Sequence, residues 1–380
     1  MKKLVTGLRR VLVPWPSTVR APWPSTVHAP WLSGVLALVL CLGAGGMAQG
    51  SVDSWCVAVW YPSSEHPGGA DAILANSDVI DIVHPFWFTP DASGALLDQS
   101  GGRADEQVGQ WRSAGMLVLP SIFAGHWGYL SEDLRPAHVA GIVDLVEARG
   151  FDGIDIDYEM FALETRDVFS TFVEELSAAL HANGRLVAVT VHAKTFDQSP
   201  FPSAAAQDWV RLAAAADIFN LMTYDYTSRN EPPGPVASIP WAAEVVEYAL
   251  TTTSTDKVRV GLPFYGYSWR RGRPPATATT WEAADRMVTQ FGLEVARDPL
   301  GHELAIELDV TGLPRQQVYV SDAATTAARL AALPLTGGVA IWGIGGEDPA
   351  QWQVLREQRP ATCVQAGRLA ARADLGTRER

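Results

Sequence analysis

Short apolar runs rich in β-branched residues recur along the chain, with longer amphipathic or polar stretches between them. Read as strands, they fall at Cys56 to Tyr61, Val79 to Phe88, Met116 to Ile122, Gly153 to Tyr158, Arg185 to Val191, Ile218 to Thr223, Val258 to Phe264 and Gly338 to Trp342. Pro136 to Arg149 and Arg166 to Asn183 return apolar residues every three or four positions, the helical period, and Asn183-Gly184 supplies a stop. Strands alternating with helices predict a parallel sheet. Eight such units predict an α/β fold closed into a (β/α)8 TIM barrel.

One interval breaks the rhythm. The stretch from Phe264 to Gly338 is too long for a single helix, and it carries alternating runs at Leu304 to Leu308 and Val318 to Val320. It reads as a small α+β insertion, about residues 267–335, with Thr325 to Leu333 as a returning helix. The barrel then occupies residues 53–360, and 361–380, with little apolar periodicity, is expected to be a loose tail. Residues 1–50 are different in kind. Lys2, Lys3, Arg9, Arg10 and Arg20 meet no acid before Asp53, and Leu32 to Leu42 is a short apolar run followed by small residues. That is the pattern of a signal peptide or, if uncleaved, of an N-terminal membrane anchor, and it predicts an exported protein.

Composition narrows the function classes. A hydrophobic content of 47% with 19% charged residues is that of a globular chain, and a net charge of -13 argues against a nucleic-acid partner. An oxidising compartment would permit Cys56 and Cys363 to join, closing a loop for which chain entropy gives roughly 5 kcal/mol. Two separate buried thiols are the alternative.

The most specific stretch is Asp152-Gly153-Ile154-Asp155-Ile156-Asp157-Tyr158-Glu159. In a strand, Asp155, Asp157 and Glu159 face one side and the two isoleucines the other. At about 3.3 Å per residue, acids two positions apart lie roughly 7 Å from each other. Shielded from water they cannot all ionise independently, so one is expected to stay protonated near neutral pH, as a general acid requires. A solvated edge strand, or an oxygen-rich site for Mg²⁺ or Ca²⁺, would also accommodate such a row. Barrel active sites lie at the carboxyl ends of the strands, where Glu159 falls. The same ends carry aromatic residues, Trp87 after strand two, Tyr224 and Tyr226 after strand six, Tyr265 and Tyr267 after strand seven, and Trp342 at strand eight, which suit the CH faces of sugar rings.

The series Asp152, Asp155, Asp157 and Glu159 resembles the signature of family 18 glycoside hydrolases, the chitinase and N-acetylglucosaminidase barrels. Met222-Thr223-Tyr224-Asp225 is similar to that family's strand-six motif, and Trp342 to the tryptophan that ends its strand eight. The likeness covers residues 53 to 358. Ala193-Lys194-Thr195, Gly234-Pro235-Val236, Ile239-Pro240-Trp241, Gly261-Leu262-Pro263 through Trp269, and Gly337 to Asp348 resemble the spore cortex-lytic and germination subgroup. Ser121-Ile122-Phe123-Ala124-Gly125 stands where the family often carries Ser-x-Gly-Gly, and no LysM-like or chitin-binding repeat is recognisable.

The resemblance implies a retaining hydrolase whose substrate supplies its own nucleophile. Glu159 would be the acid, Asp157 would orient the 2-acetamido group, Asp155 would tune Asp157, and Tyr224 would hold the acetamido carbonyl. Asp225, Trp342, Trp87, Tyr265 and Met222 would bind substrate. The implied partner is a GlcNAc polysaccharide, peptidoglycan or chitin, and the implied protein is a monomer needing no cofactor or metal. A degenerate sugar-binding barrel without turnover is the competing reading.

Overall fold

The computed structural model describes residues 55–62, 68–334, 336–359 and 363. The N-terminal segment 1–50 lies outside the described residues, as does the tail apart from Cys363.

Eight parallel strands close on themselves: Cys56–Tyr61 (β1), Ile82–Pro90 (β2), Ser121–Ala124 (β3), Gly153–Tyr158 (β4), Leu186–His192 (β5), Ile218–Met222 (β6), Val258–Pro263 (β7) and Gly338–Trp342 (β8). Closure is made by β1, which pairs with β8 through Cys56 and Gly338 and with β2 through Ala58 and Ile82. A strand buried on both faces has no polar side to show, which is why β1 and β4 are buried at every position. In β1, Val57, Val59 and Tyr61 point outward to the helices, while Cys56, Ala58 and Trp60 fill the barrel. Cys56 is joined to Cys363, so the bridge fastens β1 to a point beyond the last helix.

The helix Arg166–Ala182 turns Phe169, Phe172, Val173, Leu176 and Leu180 onto the sheet. The helix Arg135–Ala148 is ended by Gly150, whose φ of 61° is left-handed and allows the sharp entry into β4. The expected strand Met116 to Ile122 divides in two. Leu117–Val118 pairs only with β2, and β3 begins after Pro120, which has no N–H to donate to the ladder.

Between β7 and β8 the chain builds a second, antiparallel sheet in the order Thr277–Thr279, Gly266–Arg270, Gln316–Val320, Leu304–Leu308, Val295–Arg297. The helix Trp281–Phe291 lies against one face, its Ala284 packed with Ile306, Val318 and Val320. The helix Ala323–Ala332 returns the chain to the barrel, capped by Asp322, whose carboxylate accepts from the Thr325 N–H at 2.9 Å. Among the described residues no helix is long and apolar enough to cross a membrane.

Candidate active site

β4 carries the carboxylate row. Its odd-numbered acids face the barrel axis, and Ile154, Ile156 and Tyr158 are buried under the helices. Asp155, deepest of the three, accepts hydrogen bonds from Trp60 Nε1 at 3.0 Å, Ser121 Oγ at 2.6 Å and Thr190 Oγ1 at 2.9 Å, from β1, β3 and β5 respectively. Asp157, one step nearer the rim, is only 4% exposed, and its Oδ1 has no hydrogen-bond partner among the described residues. Burial, reinforced by Glu159 and Asp155, holds its pKa well above the usual carboxylate range. At the rim, burial and then the negative charge of Asp225 push Glu159 up to about 7. Directly after it Met160 adopts a left-handed backbone, φ 60°, and a non-glycine residue there costs about 1–2 kcal/mol.

The opposite wall comes from β6 and the sheet insertion. Tyr224 lies edge-on to Trp60 and Tyr265, with ring centroids 6.5 and 6.2 Å apart. Burial first, then Asp157, keeps its phenol far above the ordinary range, so it remains a hydrogen-bond donor at every working pH. Gly261 of β7 makes this packing possible, since a Cβ there would sit 2.3 Å from the Leu221 carbonyl and 2.9 Å from the Tyr224 ring. Asp225 is also left-handed, φ 56°, and accepts from the hydroxyls of Tyr265 at 2.5 Å and Tyr267 at 2.8 Å. Much of the Asp225 residue is open to solvent, yet its carboxyl points in among these rings. Their bulk raises its pKa, and the two hydroxyls oppose the rise. Trp342 meets Trp60 and Phe86 at 6.3 and 5.4 Å and closes the floor. Met222 ends β6, half-buried and in register with His192.

Two expected substrate contacts are corrected. Trp87 is fully buried, stacked on Trp111 at 5.9 Å in the layer between barrel and helices. Successive strand residues face opposite sides, and Phe86, half-buried against Trp342 and Phe123, is the β2 aromatic that reaches the groove. Tyr265 is at the site but 5% exposed, with its hydroxyl spent on Asp225, so it fixes that acid instead of presenting an open face. Asp152, off the row, accepts from the Val118 N–H at 2.8 Å and from Arg112 at 3.0 Å, which ties β4's entrance to the short strand Leu117–Val118 and to the helix Ala104–Ser113.

Sequence reasoning missed Trp60, Ser121 and Thr190, the three donors to Asp155. It also missed His192 and Gln207. The β5 alternation could have pointed to Thr190 and His192, which share the inward face. Trp60 had no local signal, because its partner lies 95 residues away.

A metal suits this row poorly, since Asp155 Oδ2 already accepts from an indole N–H, a donor that would face the cation. The described residues bring Cys56, Asp81 and Cys363 together elsewhere, but the two sulfurs are bonded to each other.

A parallel eight-stranded barrel with buried, partner-starved carboxyls at the end of its fourth strand and an aromatic floor beside them defines a glycosidase-type protein. The profile of Glycosyl hydrolases family 18 matches residues 115–306, and the chain belongs to that family. The cortical fragment-lytic enzyme of Bacillus anthracis is 25% identical over 256 residues, which are 64% of this chain and 59% of that protein. The chain spans between 33% and 64% of the length of the curated relatives it matches. Among solved structures, the fold is shared with a chitinase from Chromobacterium violaceum, TM-score 0.74 and 24% identity, over 80% of this chain and 99% of that one. It is shared equally with the Bacillus cereus spore cortex-lytic enzyme SleL, TM-score 0.74 and 20% identity, over 81% and 75%.

Proposed function

We propose that this protein is an exported hydrolase that cleaves β-1,4 bonds next to N-acetylglucosamine in peptidoglycan or a chitin-like polymer, by a retaining, substrate-assisted mechanism. The observation that carries this reading is the contrast along β4. Asp155 is saturated with donors, Asp157 is buried with a free oxygen, and Glu159 sits at the rim with a pKa near neutrality.

In this mechanism Glu159 gives its proton to the glycosidic oxygen as the bond breaks. The 2-acetamido carbonyl oxygen of the same sugar attacks the anomeric carbon, so the protein supplies no nucleophile. Asp157 accepts from the acetamido N–H through its unpartnered Oδ1 and so orients the group for ring closure. Tyr224 donates to the acetamido oxygen, and Trp342 and Phe86 carry the sugar's CH face. Water then attacks the anomeric carbon from the side the leaving group vacated and gives a proton to the Glu159 carboxylate. As its oxygen bonds the carbon, the carbon–acetamido oxygen bond breaks, which restores the acid and the acetamido group.

The cortical fragment-lytic relative supports peptidoglycan, and the C. violaceum chitinase supports chitin. The basic start of the chain and the run Leu32 to Leu42 support export. Mass spectrometry of products from purified sacculi and from GlcNAc oligomers separates the two polymers. In both, Glu159→Gln should abolish turnover while the variant melts as a folded protein, and ordinary activity in that variant would overturn the assignment. A sugar-binding barrel without turnover would instead retain oligomers and release no product from the wild type.

A further inference from the structure

We infer that His192 is a positioning residue for the acid: its Nε2–H takes one oxygen of the Glu159 carboxyl and so leaves the acidic proton on the other. The inference rests on the mechanism proposed above and adds to it a residue that neither the strand-four nor the strand-six motif contains.

His192 is the last residue of β5, and its Nε2 lies 3.6 Å from Glu159 Oε2, both side chains being almost enclosed, 13% and 12% exposed. That nitrogen has no hydrogen-bond partner among the described residues. The buried His138 is a useful contrast. Both of its nitrogens are engaged, by the Gly94 carbonyl and the Tyr158 hydroxyl, each at 2.6 Å, as a histidine kept for structure should be. His192 is held as firmly, but through its backbone and ring face. Its N–H donates to Gln207 Oε1 at 2.8 Å, and Gln207 Nε2 donates to the Tyr158 carbonyl at 3.3 Å. One carboxamide therefore ties the end of β5 to the residue that precedes Glu159. Phe201 meets the imidazole edge-on at 4.9 Å, and the Gln207 carbonyl is itself fixed by Lys194 Nζ at 2.6 Å.

The contact is not an ion pair. Burial pushes the imidazole down to about 4, so it is neutral where Glu159 titrates. Among the described residues, Asp157 on β4 and Tyr224 and Asp225 beyond β6 are the other titratable groups around Glu159. The Lys194 ammonium is engaged by the Gln207 carbonyl and Asp197. A closure of about half an ångström brings Nε2 within hydrogen-bond reach of Oε2, the kind of tightening that substrate binding produces in active sites. The proton on Oε1 then passes to the glycosidic oxygen, the C–O bonding pair leaves with that oxygen, and Nε2–H shares the new carboxylate charge. Histidine keeps its proton throughout.

The test compares wild type, His192→Leu and His192→Gln on a GlcNAc oligomer and on the 4-nitrophenyl glycoside of a GlcNAc dimer, whose leaving group needs little protonation. The glutamine amide can occupy the Nε2 position. On the oligomer, His192→Leu should lower kcat roughly tenfold, the rate equivalent of one charge-assisted hydrogen bond, with KM within about twofold. On the aryl glycoside its kcat should change little. Its alkaline limb should move to higher pH, because the carboxylate has lost a donor, and His192→Gln should recover most of the rate. Wild-type kcat on the oligomer for His192→Leu, equal losses on both substrates, or a glutamine variant no better than leucine would each overturn the inference. Should the leucine variant fail to fold, His192→Gln against His192→Asn, whose amide stops short of Nε2, carries the same comparison. A wild type inert on both substrates and on purified sacculi would sink the proposed function and this inference with it.

Discussion

Glu159 at the rim of the barrel and Glu303 beside the sheet insertion are both buried acids, and their surroundings answer that burial in opposite ways. Glu303 is fully enclosed, and it accepts from Arg329 at 2.6 Å and from the Val236 and Ala237 N–H groups at 2.8 and 3.0 Å. Burial raises its pKa, and Arg329 and the two amides pull it back. Glu159 has no such relief. Its neighbours are a neutral imidazole at 3.6 Å and a second acid, Asp225, and it rises to about 7. A buried acid supplied with partners holds two pieces of chain together. One denied partners stores a proton, which is the usual mark of a group kept for chemistry.

The largest effect that separates these roles is kinetic. Glu159→Gln should lower kcat on a GlcNAc oligomer by on the order of 10²- to 10⁴-fold, the range for loss of a general acid. Glu303→Ala should leave kcat per folded molecule near the wild-type value, and a comparable kinetic loss in that variant would break the contrast. Stability should reverse the ranking. Glu303→Ala strands Arg329 as a buried, unpaired cation and should cost about 3–5 kcal/mol in urea unfolding.

A smaller effect has the opposite sign. Folded Glu159 keeps a proton that its unfolded form releases above about 4.5, so the folded state loses stability as pH rises from there to about 7. Glu159→Gln removes that loss. It should match wild type near pH 4 and exceed it by about 1–3 kcal/mol at pH 8. A constant difference across that range would mean that Glu159 titrates normally. Smaller still is Tyr267→Phe, which removes one of two hydroxyls holding Asp225 and should cost about 1 kcal/mol. A rise in KM beyond that stability loss would mark Asp225 as a substrate contact.

The barrel was legible in the chain because strands buried on both faces leave long apolar runs, and because helices such as Arg166–Ala182 keep a clean period. The row on β4 was legible because alternation over a few residues is a local property. Tyr224 and Trp342 were carried by motif likeness. What escaped was non-local or turned on a single residue of register. Trp60 meets Asp155 across the barrel axis from a strand 95 residues away, whereas Thr190 meets it from the adjacent strand, where one step of register decides which side chain faces inward. Trp87 was named at the end of strand two, where Phe86 faces the groove: neighbours in a strand cannot both face it, and β2 has an irregular register between Phe86 and Phe88. Gln207, whose partners are a backbone N–H and a backbone carbonyl, leaves no pattern in sequence at all.

The ionisation of Glu159 tests the central claim most directly. Carboxyl carbon NMR titration of protein labelled at glutamate, with Glu159→Gln to assign the resonance, should give a midpoint near 7. A midpoint near 4.5, the ordinary glutamate value, would contradict the account of Glu159 as an acid held protonated by the groove.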